Sequence, residues 1–159
     1  MKIASVLLLL VFMLTGCGVG KQRSVTAKLT QDHYIATGNA SWYGTFFHGR
    51  KTASGVVFNK NHYSAAHRKL KLGSLIRVTN LHNNKKIVLM VNDRGPVPKD
   101  RILDVSEQTA RKLGFIEQGL AKVRIEYLPS QTKKLSKKAR SKKVADMYNY
   151  FIRNHGMFR

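Results

Sequence analysis

A small, mostly β barrel is the fold class that this chain predicts, and three observations predict it. Two segments, Ser74 to Leu81 and Ala121 to Tyr127, alternate polar and apolar residues with the period of a strand. A third, Ile87-Val88-Leu89-Met90-Val91, is a short unbroken apolar run, as in a strand covered on both faces. Glycines punctuate the rest so often that there is room for only one or two short helices.

The elements follow in order. Gly18 to about Thr37 is polar with little periodicity and reads as a tether. A domain is expected over residues 38–128, starting near Gly38, with Asn39 to Tyr43 as its first strand and Gly44 to Gly55 as a loop. Tyr63 to Lys69 predicts a short helical segment around Ala65 and Ala66. The strand at Ser74 to Leu81 splits into a Leu75/Arg77/Thr79 face and an Ile76/Val78 face. His82-Asn83-Asn84 turns it into the apolar run, which Gly95-Pro96 stops. Ser106 caps a helix to about Leu113, and Gly114 ends it. Residues 129–159 form a basic tail that reads as a weakly amphipathic helix: Ser130 to Lys143 holds seven Lys and Arg and no acid, and Val144, Met147, Tyr148, Phe151 and Ile152 recur at helical spacing.

The chain carries 29 Lys+Arg against 8 Asp+Glu, a formal charge of +21. Such charge points to a polyanionic partner: nucleic acid, anionic lipid or an acidic wall polymer. With eight carboxylates, a carboxylate mechanism has few candidates. Asp93 stands out, at the mouth of the apolar strand and beside Arg94. Taken alone it is as well explained as a strand-end turn residue. The single cysteine, Cys17, excludes an internal disulfide, and the six scattered His show no metal-ligand spacing, so neither metal nor other cofactor is expected.

Ile3 to Leu14 is too short and apolar a run for a membrane span and suits the core of a signal peptide, residues 1–16. It ends in Leu14-Thr15-Gly16-Cys17, which resembles the bacterial lipobox. Cys17 would then be the lipidated first residue of a tether, residues 17–37. Gly18 in place of an aspartate suggests the outer membrane, facing the periplasm. Export argues against nucleic acid. The basic tail would then meet anionic lipid or acidic wall polymer, or be a solvated tail.

Several motifs fall in sequence: Ala40-Ser41-Trp42-Tyr43-Gly44, His48-Gly49-Arg50, Thr52-Ala53-Ser54-Gly55, Ala65-Ala66-His67, Leu72-Gly73, Val78-Thr79-Asn80-Leu81, Val91-Asn92-Asp93-Arg94-Gly95-Pro96, Asp104-Val105-Ser106 and Leu113-Gly114. Together they closely resemble the rare lipoprotein A (RlpA) family. The resemblance implies a six-stranded double-psi β-barrel and an envelope or septal enzyme. It implies endolytic transglycosylation of peptidoglycan, with preference for glycan strands stripped of stem peptides. It makes Asp93 the catalytic aspartate and His67 the active-site histidine. The family's motif continues with a glutamate where this chain has Val56. A C-terminal SPOR domain, common in the family, is expected to be too long for the tail.

One carboxylate suffices in principle for such chemistry. A hydrolase needs a second group for water or covalent attack. In a lytic transglycosylase the C6 hydroxyl of N-acetylmuramic acid attacks its own anomeric carbon, so the nucleophile is already tethered. Trp42 and Tyr43 are candidates to stack on sugar rings, or else core aromatics. Arg50, Thr52 and Arg94 are candidates to line a glycan groove, or else turn residues. A monomer is expected. The alternative reading is a lipoprotein that binds peptidoglycan glycan without cleaving it.

Overall fold

The computed structural model describes residues 34–139 and 143–155. The signal peptide, Cys17 and most of the tether lie outside the described residues. Six strands close into one barrel: β1 (Ile35–Trp42), β2 (Ser64–Ala66), β3 (Leu75–Asn80), β4 (Lys86–Asp93), β5 (Arg101–Val105) and β6 (Leu120–Tyr127). Their order around the barrel is β1-β5-β2-β4-β3-β6. The pairs β1/β5 and β2/β4 are parallel and the other pairs antiparallel. Closure leaves no free sheet edge.

The alternation in β3 has its physical counterpart. Ile76 and Val78 are fully buried inside the barrel with Leu89, Val91, Val123 and Ile125. Each such burial stabilises by about 1.5–3 kcal/mol. On the outer face Arg77 pairs with Glu126 at 2.9 Å. Helix α1 (Glu107–Leu113) starts as the sequence predicts: Ser106 Oγ accepts the Thr109 amide. It stops at Gly114, whose φ of +73° is the left-handed conformation that glycine adopts without strain.

Two expectations are corrected. Tyr63 to Lys69 holds no helix. Ser64–Ala66 is the short strand β2, bonded to β4 on one side and β5 on the other. Its small side chains are buried at the crossing, and alanine's helix propensity loses to that packing. The first strand begins at Ile35, ahead of Gly38, because residues 35–41 pair with β6. The basic segment is helical, as its spacing predicts, and it is packed instead of solvated all round. Helices α2 (Pro129–Lys138) and α3 (Val144–His155) pack on the barrel. Leu135, Met147, Tyr148 and Phe151 are buried in a second apolar cluster with Leu75, Met90 and Val56, while Lys133, Lys134, Lys137 and Lys138 are exposed. This cluster explains the unbroken apolar run of β4: Leu89 and Val91 face the barrel core, and Met90 faces the helices. No helix among the described residues is long and apolar enough to cross a membrane.

Candidate active site

Asp93 is the last residue of β4 and is half-buried. Two neighbours fix its backbone. The His67 amide donates to the Asp93 carbonyl at 3.2 Å, extending the β2/β4 pairing, and the Ser54 amide donates to the Asn92 carbonyl at 3.1 Å. Its side chain is held as tightly. Oδ1 accepts the Ala53 amide at 2.8 Å and the Arg94 amide at 2.8 Å. Among the described residues, Oδ2 has no hydrogen-bond partner and no cation lies within 4.0 Å of the carboxylate.

The Ala53 amide comes from a tight hairpin, residues 51–57, closed by a bridge between Lys51 and Val57. The Thr52 amide and Thr52 Oγ1 both donate to the Val56 carbonyl, at 2.8 and 2.9 Å. Arg94 faces away from the acid: its Nη1 donates to the carbonyls of His67 at 3.1 Å and Leu70 at 2.8 Å. At Gly95, φ is +143° and a Cβ would lie 3.6 Å from the Ala66 Cβ. Only glycine turns the chain comfortably there.

Asp93 opens onto a cavity of about 170 Å³. Tyr43, Arg50, Thr52 and Arg94 also line it, so five of the seven predicted catalytic and binding residues meet there. Phe47, Lys51, Phe58, Asp104 and the segment Gly95 to Val97 complete the wall. Arg50 places its guanidinium carbon 3.8 Å above the ring of Phe46, which is 71% exposed. Tyr43 meets Phe58 edge-on at 4.7 Å. Burial, followed by the charges of Asp93 and Asp104, raises the Tyr43 phenol well above its ordinary pKa, so it stays protonated.

The other two predicted residues lie elsewhere. Trp42 lines a separate depression with Arg101 and Leu120. Side chains alternate along a strand, so Trp42 and Tyr43 leave β1 in different directions. His67 is 3% exposed and is not part of the cavity wall. Its Nδ1 accepts the amides of Lys69 at 3.1 Å and Leu70 at 2.9 Å. Nε2 therefore carries the ring proton and donates to Tyr34 Oη at 3.0 Å. Burial, then the charges of Arg68, Arg94 and Lys69, lower its pKa to about 4. This neutral imidazole props the turn behind Asp93.

Sequence reasoning missed Arg68, whose guanidinium donates to the carbonyls of Pro96 at 2.8 Å and Pro98 at 2.9 Å and pins the far wall of the cavity. It also missed Asp104 as a wall residue. Asp104 Oδ1 accepts Ser41 Oγ at 2.6 Å and lies 3.6 Å from Arg101 Nε, while Arg101 also bonds Ser41. A Lys/Arg-rich segment with two carbonyls, or an Asp opposite a Ser, leaves no trace in one sequence. Among the described residues no cluster of His, Cys, Asp and Glu is arranged to hold a metal.

A closed six-stranded barrel in which β1/β5 and β2/β4 pair in parallel is the architecture of the double-psi β-barrel proteins. The Streptomyces papain inhibitor shares the fold, with a TM-score of 0.51 and 18% identity over 60% of this chain and 94% of that one. The family described as lytic transglycolase matches residues 35–125, and the chain belongs to it, in its RlpA branch. An endolytic peptidoglycan transglycosylase RlpA of Rickettsia typhi is 51% identical over 79% of this chain and 42% of its own length. One of Neisseria meningitidis serogroup A is 49% identical over 67% of this chain and 45% of its own. The chain thus spans less than half the length of either relative.

Proposed function

We propose that the protein is an endolytic lytic transglycosylase that cuts peptidoglycan glycan strands, preferably those lacking stem peptides, to 1,6-anhydromuramyl ends. The observation that carries this reading is the state of Asp93: a half-exposed carboxylate fixed by two amides, with no cation on it among the described residues, at the edge of a cavity. Held in that way, Asp93 donates a proton to the glycosidic oxygen as the bond to the anomeric carbon breaks. The C6 hydroxyl of N-acetylmuramic acid closes on that carbon and returns its proton to the carboxylate. No water enters, and the acid is regenerated. Val97 and the Phe46–Arg50 stack are exposed beside the cavity and would hold sugar faces on either side of the cut.

The lipobox at Cys17 supports anchoring to a membrane of the envelope, the outer membrane facing the periplasm, and the exposed lysines of α2 would contact anionic lipid or acidic wall polymer. The protein would act as a monomer. A second reading, binding of glycan without cleavage, is favoured by Val56, since its hairpin brings no second carboxylate to Asp93. The test is incubation with amidase-treated sacculi and mass spectrometry of the products. The enzyme reading expects 1,6-anhydromuramyl ends. Retention on the sacculi without such ends would establish binding alone.

A further inference from the structure

Val56 sits at the junction between the site and the C-terminal helices. It is 9% exposed and belongs to the apolar cluster of Met147, Tyr148 and Phe151 from α3 and Leu135 from α2. Its carbonyl takes both Thr52 donors that close the hairpin. At the hairpin tip, Ala53 lends its amide to Asp93 Oδ1. A second contact runs parallel to this one. The Tyr148 hydroxyl is buried with no hydrogen bond completed, as are those of Ser64 and Tyr43. Ser64 nonetheless lies close enough to both phenols to offset part of the pKa rise that burial gives them. Tyr43 is a wall of the cavity, and Tyr148 of α3 is near enough to influence its phenol.

We propose that α3 is a positioning element of the active site, acting through Val56 and the 51–57 hairpin to hold the Ala53 amide on Asp93. The site of this chain is therefore not confined to the barrel, and Val56 is its seating point on the helix. The inference rests on the transglycosylase reading for its kinetic consequence, but not for its structural one. Packed interiors transmit small displacements because they leave few voids, and a misplaced acid loses rate more than binding.

The test uses the full chain with Val56→Ala, Val56→Ile and Tyr148→Phe. Amide hydrogen exchange is followed at Ala53 and, as controls, at Val78 and Ile125 in the barrel. In Val56→Ala, exchange at Ala53 is expected to quicken at least tenfold while the controls hold. The kcat for anhydro-end formation should fall about ten- to a hundredfold, with KM within about twofold. Val56→Ile, which refills the space, should restore both, and Tyr148→Phe should show a smaller kcat loss at unchanged control exchange. If Ala53 keeps the parent's protection in Val56→Ala, or if the controls quicken as much as Ala53, the proposal is overturned. If the parent makes no anhydro ends, the enzyme reading fails, and the exchange result still decides whether α3 holds the hairpin.

Discussion

Two aspartates border the same cavity from the ends of β4 and β5, the two strands that flank β2 in the barrel, and they are held in opposite ways. Asp104, on β5, is locked against Ser41 and Arg101, with its counter-charge inside the protein. Among the described residues, Asp93, on β4, is held only by the amides of Ala53 and Arg94, and Arg94 spends its guanidinium on carbonyls instead. A carboxylate paired with an arginine has its charge answered inside the protein, whereas one fixed by amide dipoles keeps a defined direction and, among the described residues, an oxygen without a partner. The rim of β5 is tied by charge pairing, whereas the rim of β4 leaves its acid open to the cavity.

The largest effect should come from breaking the β4 side. Asp93→Asn keeps the shape and removes the proton, so anhydro-end formation should drop by about 10²–10⁴-fold while sacculus binding persists. Product mass spectrometry together with a pull-down reads both, and an unchanged rate would transfer the chemistry to another group. Asp104→Asn attacks the other side. It leaves Arg101, whose side chain is 24% exposed, without its partner, and should lower stability by about 2–3 kcal/mol in denaturant unfolding. At temperatures where the variant is folded, its rate should fall by less than tenfold.

The prop behind Asp93 adds a pH dependence. Unfolded His67 titrates near its ordinary value of 6.5 and the folded residue near 4. Between these values the unfolded chain binds the extra proton. Stability is therefore complete above about pH 6.5 and is lost as the pH falls toward 4, by about 1–2 kcal/mol after allowance for solvent screening. Thermal unfolding across that range should show the slope, and His67→Phe should flatten it. The smallest effect belongs to the cavity lip. Arg50→Ala removes the cation over Phe46 and should weaken glycan binding about two- to fivefold, with kcat unchanged, as equilibrium binding to solubilised strands would show.

The fold was legible where it repeats a local rule. β3, β6 and the capped helix α1 follow from periodicity and end signals, and these act between residues a few positions apart. β2 was not legible, because three small residues carry no period, and only the approach of β4 and β5 makes them a strand. The helical spacing of Val144 to Ile152 was visible, whereas its partner surface, Leu75, Met90 and Val56, is scattered over three separate stretches of chain. At the site, Asp93 was found from its place after an apolar run. His67 was selected with it by resemblance, yet folding turns its ring toward Tyr34 and the turn amides and away from the cavity.

By itself the amino-acid sequence determined the β-barrel class, the position of the acid at a strand end and the basic character of the C-terminal segment, since each follows from neighbours along the chain. Tertiary structure alone decided which way Arg94 and His67 face, that Asp104 pairs with Arg101 while Asp93 has no such cation among the described residues, and that Val56 joins an apolar cluster with side chains of a helix more than ninety positions further along the chain. The physical reason is that charge pairing and close packing depend on distance in space. That distance is set only when the barrel closes and the two helices settle on its wall.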